Sequence, residues 1–257
     1  MLTVNDLQFG YHPGEPVLRG ISFEIPSGLL CSLFGPNGCG KTTLFRCCLR
    51  QIRPCNGTVH INGFNVEDLT IKEMARQVAY VPQVQQSPFP YLVKDLVLMG
   101  RNPHASSLFG ISSRDRQKAW DALCLMEITE IADRPYNQLS GGQRQLVLIA
   151  RALAQDARLI FLDEPTAALD FSNQIRIWRL IQRISRQGIT VLACTHNPNH
   201  VVWFCDQVLV MNQGSLVAQG HPEEVIRETV LDAVYDGVCA IRNIGDCSVV
   251  IPRDLCP

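Results

Sequence analysis

Residues Gly35-Pro36-Asn37-Gly38-Cys39-Gly40-Lys41-Thr42 fit the pattern G-x-x-x-x-G-K-[ST]. They follow an apolar run at 29–34, so the pattern lies where a strand gives way to a helix. In that setting glycine-rich backbone N–H groups cradle phosphates, and the next helix turns the positive end of its dipole toward the same anion. Lys41 is then placed to reach the β and γ phosphates, and the Thr42 hydroxyl suits an octahedral, oxygen-ligated Mg²⁺. With Thr43 completing the stretch, the chemistry is that of a nucleoside triphosphate.

A second cluster lies over 100 residues downstream. Leu159-Ile160-Phe161-Leu162-Asp163-Glu164 reads as a buried strand ending in two carboxylates. This puts Asp163 at the C-terminal edge of a sheet, where ligands of open α/β sheets bind. Asp163 suits Mg²⁺, directly or through water. Glu164, one position on, points elsewhere and is the candidate base that deprotonates a water attacking the γ phosphate. Between the clusters, Leu139-Ser140-Gly141-Gly142-Gln143 opens a helical pattern running through Leu146, Ile149, Ala150 and Leu153. Ser140 can cap that helix, and Gly141 and Gly142 permit close approach of a phosphate, so the chain carries a second anion-binding helix end.

The elements that must position these residues are legible as runs and periods. Strand-like segments at 2–9, 21–25, 29–34, 57–61 and 78–81 are punctuated by Gly and Pro, giving a β-rich first third. From residue 87 Pro88, Pro90 and Pro103 break up the pattern, and 113–126 has a helical one. Strands return at 159–162, 189–194 and 207–211, around a helix at 173–186 that puts Ile177, Ile181 and Ile184 on one face. This alternation implies a mostly parallel sheet. A helical stretch at 222–234 leads to a strand pair at 238–242 and 248–251.

Length and composition bound the rest. A chain of 257 residues, 46% hydrophobic and 18% charged, can bury one sizeable core with a smaller subdomain. A net charge of −1 gives no basic field, so nucleic acid is not the expected partner. No apolar run approaches the ~18 residues of a membrane span, and residues 1–6 do not open a secretory leader, so the chain is expected to stay in the cytoplasm. Eleven cysteines, an odd number with no C-x-x-C pair, argue against a disulfide framework or a zinc ribbon. Cys47 and Cys48 read as core. Cys39, at a helix N-terminus beside Lys41, is expected to have a lowered pKa and a reactive thiol, so that maleimide would block nucleotide binding.

The phosphate loop, LSGGQ at 139–143 and LDEPT at 162–166 together resemble the ATP-binding subunits of ABC transporters over nearly the whole chain. The fold implied is α/β: a P-loop NTPase core, with a mostly parallel sheet and an N-terminal antiparallel β layer, and an inserted helical subdomain. Its boundaries would be 1–86 and 138–220 for the nucleotide-binding core, 87–137 for the helical subdomain, joined by the signature helix 140–154, and 221–257 for a C-terminal extension. The resemblance also assigns roles. Tyr11 would stack on adenine, Gln83 would sense Mg²⁺ or the attacking water, and His196 would contact the γ phosphate and steady Glu164. Asp170 would lie in the loop that crosses to a second subunit, where Ala167 replaces the Ser of many members. Ser140, Gly141, Gly142 and Gln143 of one subunit would close over the ATP held by another, giving a head-to-tail homodimer on two ATP.

The same resemblance implies a peripheral subunit on the cytoplasmic face of the inner membrane. It would drive two integral membrane permease subunits, with an external substrate-binding protein delivering cargo. Their docking surface is expected at 88–98. Residues 99–104, 169–174 and 235–238 are similar to those of the group importing iron-siderophores, haem and vitamin B12. Read without the resemblance, they are a helix turn at 101–104, a capped helix start at Ser172 and a terminal hairpin. Alternatives are a molybdate-type oxyanion importer, an exporter subunit, and a soluble ABC ATPase of repair or translation. A P-loop kinase is remote, because it would lack LSGGQ.

Overall fold

The computed structural model describes residues 1–83, 89–104, 110–245 and 247–255. They form two compact units, 1–68 with 190–257, and 69–189. The first begins with β1 (Leu2–His12) and β2 (Glu15–Ile25), an antiparallel hairpin. Then come β3 (Leu30–Phe34), α1 (Lys41–Cys48), β4 (Asn56–Ile61) and the short β5 (Phe64–Asn65). Strand order β2-β1-β4-β5, antiparallel throughout, makes the expected N-terminal layer. Leu2 and Val4 alternate with Thr3 and Asn5, an irregularity between Val4 and Leu7 shifts the register, and all three apolar side chains are fully buried.

The second unit runs α2 (Ile71–Gln77), β6 (Val78–Val81), α3 (Val93–Leu98), α4 (Ser113–Leu125), α5 (Gly141–Ala154), β7 (Leu159–Leu162) and α6 (Phe171–Arg186). β6 and β7 pair in parallel, and α3 and α4 pack on α5. Ile177, Ile181 and Ile184 are buried on one face of α6. The chain returns to the first unit as β8 (Thr190–Thr195), α7 (Pro198–Phe204), β9 (Gln207–Asn212), β10 (Ser215–Gly220), α8 (Pro222–Val225), α9 (Glu228–Tyr235), β11 (Cys239–Ile244) and β12 (Cys247–Pro252). β3 lies between β8 and β9, parallel to both, and β10 pairs antiparallel on β9. Every residue of β3 and β8 is buried, as strands covered on both faces require. The helix expected at 222–234 is two helices, because Arg227 takes an extended conformation and starts α9 afresh.

The residues at 99–104 are scaffolding for α5. Buried Arg101 bonds Asp115 Oδ1 at 2.9 Å and the Ala154 carbonyl at 2.8 Å, and so ties the start of α4 to the end of α5. A Cβ on Gly100 would stand 2.2 Å from the Arg151 carbonyl, and the His104 ring meets the Gln155 carbonyl at 2.8 Å. The other end of α5 carries Ser140. The Asp115 carboxyl is held down at about 2, first by the Ser112 hydroxyl it accepts from and then by Arg101.

Replacing Arg101 with Leu strands a buried carboxylate and a helix-end carbonyl. It is expected to cost about 3 kcal/mol of stability, read as a fall in the urea midpoint. Because the Asp115 pKa is depressed in the fold, its contribution is fully present above about pH 4 and is lost as pH falls through about 2. Acid unfolding should lose part of its pH dependence in that window in Asp115→Asn.

Candidate functional site

The phosphate loop forms because its glycines adopt backbone conformations other residues resist. Gly35, Gly38 and Gly40 have φ of 157°, 80° and 109°. Gly35 also has no room for a side chain, since a Cβ there would lie 2.2 Å from the Met211 carbonyl oxygen of β9. The β9–β10 turn backs the loop from the same side, where Gly214 N donates to Cys39 O at 3.1 Å. Asn37, Gly38 and Thr42 face solvent, while Lys41 is buried with its Nζ 2.8 Å from Gly35 O and 2.9 Å from Pro36 O. An ammonium has three protons, so two bonds fix Lys41 against the loop and a third proton can serve an anion.

The other candidates of the first unit stand near this loop or beside it in the sheet. Tyr11 is half exposed, stacked edge-on against Phe9, with its hydroxyl 3.4 Å from Thr43 Oγ1 of α1 and 3.4 Å from an Arg46 nitrogen. It thus offers a flat ring at the end of the β1–β2 hairpin, next to the helix that follows the phosphate loop. His196 comes straight after β8, exposed, and its carbonyl accepts from the Tyr235 hydroxyl at 2.7 Å. His200 nearby is buried and its pKa is pushed down to about 4, chiefly by that burial.

Cys39 differs from expectation. Its side chain is buried, and burial raises its pKa despite the lowering effect of Lys41 beside it. Removing a thiolate from water outweighs one neighbouring charge here. Cys47 and Cys48 are buried, as expected of core thiols.

In the second unit, Asp163 follows β7 immediately and is buried, with the Tyr80 hydroxyl 3.4 Å from its Oδ2. Glu164 has φ of 48°, the left-handed region, which costs a non-glycine residue about 1 kcal/mol or more. Its Oε2 accepts from Gln83 Nε2 at 3.0 Å. Gln83 and Glu164, 81 positions apart, are thereby brought together. The Ser140 side chain caps α5 by accepting from Gln143 N at 3.3 Å, while Gln143 Oε1 accepts from Ser140 N at 3.1 Å. This reciprocal box leaves the first turn well defined.

Asp170 caps α6, not Ser172, by accepting from Asn173 N at 2.9 Å, and these bonds hold its carboxyl below the usual range. The Asn173 side chain donates to Asp170 and stands where a Cβ on Gly142 would come within 3.1 Å. Gln174 donates to Leu169 O at 3.0 Å and, longer, to Thr166 O at 3.4 Å. Buried Trp178 donates to Thr166 Oγ1 at 3.2 Å. Sequence reasoning assigned no role to Asn173, Gln174 or Trp178. The signal was their spacing after Asp170 on a helix whose first turn must meet a loop.

The family model for ABC transporters matches residues 18–167. The chain belongs to the ABC transporter family. It is 36% identical over 236 residues to the iron(3+)-hydroxamate import ATP-binding protein FhuC of Bacillus subtilis, covering 91% of this chain and 87% of that one. It is 39% identical over 235 residues to the molybdate import ATP-binding protein MolC of Haemophilus influenzae, again covering 91% and 87%. Among solved structures it matches an ABC transporter described as of the metal-chelate type, in an inward-facing conformation. There the TM-score is 0.84 and the identity 33%, over 98% of this chain and 96% of that one. A cassette solved as a dimer after hydrolysis, with ADP and phosphate bound, matches with a TM-score of 0.73 at 28% identity, over 86% and 99%.

The chain is therefore an ATP-binding subunit that hydrolyses ATP with Mg²⁺, and subunits of this kind dimerise and work with membrane permease components. No described helix is long and apolar enough to cross a membrane. The residues fit both ligands. The loop offers backbone N–H groups and a buried ammonium to phosphates. For Mg²⁺, oxygen donors are present in each unit, the solvent-facing Thr42 hydroxyl in the first and the Asp163 carboxylate after β7 in the second.

Maleimide is expected to modify exposed Cys55, Cys124 and Cys247 of the folded chain well before Cys39, followed by mass spectrometry of timed digests. Labelling that begins at Cys39 would show that the Lys41 charge prevails over burial.

Proposed function

We propose that this chain powers uptake of a chelated-metal or corrinoid cargo, an iron-siderophore, haem or cobalamin, by an importer in the inner membrane, working as a peripheral subunit at its cytoplasmic face. What supports the cargo reading is the likeness to FhuC and to a metal-chelate-type transporter at over nine-tenths of the chain's length. The likeness to MolC supports a second reading, a molybdate-type oxyanion.

The residue roles are those the family resemblance implies, and the chemistry of each side chain supports them. Lys41 and the loop N–H groups from Gly35, Asn37, Gly38, Cys39, Gly40, Thr42 and Thr43 hold the phosphates, with Pro36, which has no N–H, shaping the turn of the loop, and Tyr11 stacks on adenine. Thr42, Asp163 and Gln83 would hold Mg²⁺, which would supply positive charge to the phosphates. Glu164 accepts the proton of the attacking water, and the Gln83 amide orients that carboxylate. The support is the Gln83–Glu164 bond on a residue kept in a costly backbone conformation. His196 contacts the γ phosphate.

Ser140, Gly141, Gly142 and Gln143 of one protomer, with Asp170 nearby in the chain's second unit, close over the ATP held by its partner in a head-to-tail homodimer. Residues 1–86 and 138–220 serve nucleotide binding, 87–137 couples to the permease, and 221–257 is an extension. Two permease subunits dock on 88–98, of which Pro88 lies outside the described residues. Exposed Phe89 and Tyr91, with ring centroids 5.8 Å apart, support that surface. An external binding protein delivers cargo to the permease, and nucleic acid has no part.

Glu164→Gln is expected to keep ATP binding, lower hydrolysis by at least about a hundredfold, and persist as an ATP-bound dimer on size exclusion. Near-normal turnover would remove Glu164 from the role of base. Lys41→Ala should lose nucleotide affinity, whereas Ser140→Arg should bind ATP as a monomer and fail to close. Equal binding defects in both would refute a site shared between protomers. Uptake of radiolabelled ferric siderophore, haem, cobalamin and molybdate, lost on deleting this chain, separates the cargo readings.

A further inference from the structure

The C-terminal extension reaches back to the segment that carries His196, and it does so through several independent contacts. The Tyr235 hydroxyl, at the last residue of α9, donates to the His196 carbonyl at 2.7 Å. Its ring packs edge-on against Phe34, the last residue of β3, with centroids 5.8 Å apart. Two residues past His196, α7 begins, and the β11–β12 hairpin is bonded to it. Asn199 behaves as a strand's peptide would, donating to Val250 O at 3.0 Å and accepting from Val250 N at 2.7 Å. Trp203 Nε1 adds a bond to Ser248 O at 3.1 Å. The extension is anchored in turn, since Asn212 at the end of β9 donates to Ala233 O at 2.8 Å. Val225, Ile226, Leu231, Val234 and Val250 are buried with Phe34 and Val210 in one cluster.

We propose that Tyr235 is a positioning residue for His196, fixing the backbone of the segment after β8 so that the imidazole is presented to the γ phosphate. The proposal rests on the γ-phosphate contact given to His196 above. An exposed loop residue has many backbone states, and holding its carbonyl from a half-buried, anchored ring removes most of them before substrate arrives. The phenol is a dependable donor, because burial raises its pKa well above the ordinary value and it stays protonated at working pH. The tail thereby acts on hydrolysis without touching ATP.

The test is Tyr235→Phe, which removes the hydroxyl and keeps the ring against Phe34, made alone and in a His196→Ala background in the full-length chain. Mg²⁺-dependent hydrolysis is measured at steady state, and by single turnover where it is slow. The expected result is a kcat lowered about two- to tenfold, the worth of one hydrogen bond, with KM for ATP unchanged. No further loss is expected when His196 is already Ala. An unchanged kcat in Tyr235→Phe, or the same fold-loss in both backgrounds, overturns the proposal, because a merely structural hydroxyl would act whether or not the imidazole is present. Full activity in His196→Ala overturns the γ-phosphate role of His196 itself and the proposal with it. Loss in His196→Ala with none in Tyr235→Phe overturns the proposal alone.

Discussion

The phosphate chemistry depends on one close approach, that of the Gly35 backbone to the Met211 carbonyl. A side chain at 35 would sit 2.2 Å from that oxygen, so only glycine lets β3 end against β9 and the loop turn outward. The strand pairing fixes the rest. β3 runs parallel to β9 in register Leu33 to Leu209 and Phe34 to Val210, so the loop starts where Met211 must be. Gly214 then holds the loop through Cys39 O, and Lys41 closes it through the Gly35 and Pro36 carbonyls. Removing the fit at Gly35 would displace the donors and the lysine together.

A comparable constraint governs the carboxylates. Glu164 pays for its left-handed backbone with about 1 kcal/mol or more, and the surroundings that enforce this are tight. Asp163 N donates to Val81 O at 2.9 Å, so the peptide ahead of Glu164 is fixed to the end of β6. Beyond it, Ala167 N returns to Glu164 O at 3.1 Å, and Trp178 and Gln174 hold the Thr166–Leu169 stretch from α6. Glu164 and the loop leading to Asp170 are thus parts of one bonded turn. The absence of a hydroxyl at Ala167 removes a side-chain donor from that turn and leaves its backbone bonds in place.

Much of this was legible in the residues. The parallel strands appear as continuous apolar runs because both their faces are covered, and the one-faced helix α6 shows its Ile177, Ile181 and Ile184 period. The phosphate loop and Ser140 cap are local motifs, whose geometry follows from a few adjacent residues. What was not legible required distance in sequence. Gln83 meets Glu164, and Tyr235 meets His196, through tertiary placement with no local period. Arg101 read as part of a helix turn at 101–104, yet it is buried, ion-paired with Asp115 14 positions away and bonded to the Ala154 carbonyl 53 positions away. Cys39 was misread because the charge of Lys41 is adjacent in sequence, while the burial that outweighs it comes from the folded surroundings, where the β9–β10 turn is bonded to the Cys39 carbonyl. The break between α8 and α9 fell inside a continuous helical pattern, where only the extended backbone of Arg227 marks it.

ATP chemistry on this chain is proposed to drive a membrane permease. The most direct test is affinity purification of the chain from native membranes in mild detergent, with mass spectrometry of whatever accompanies it. A polytopic permease together with an external binding protein is the expected result. A ribosomal or DNA-bound set with no membrane protein would contradict the importer and leave the ATPase chemistry standing.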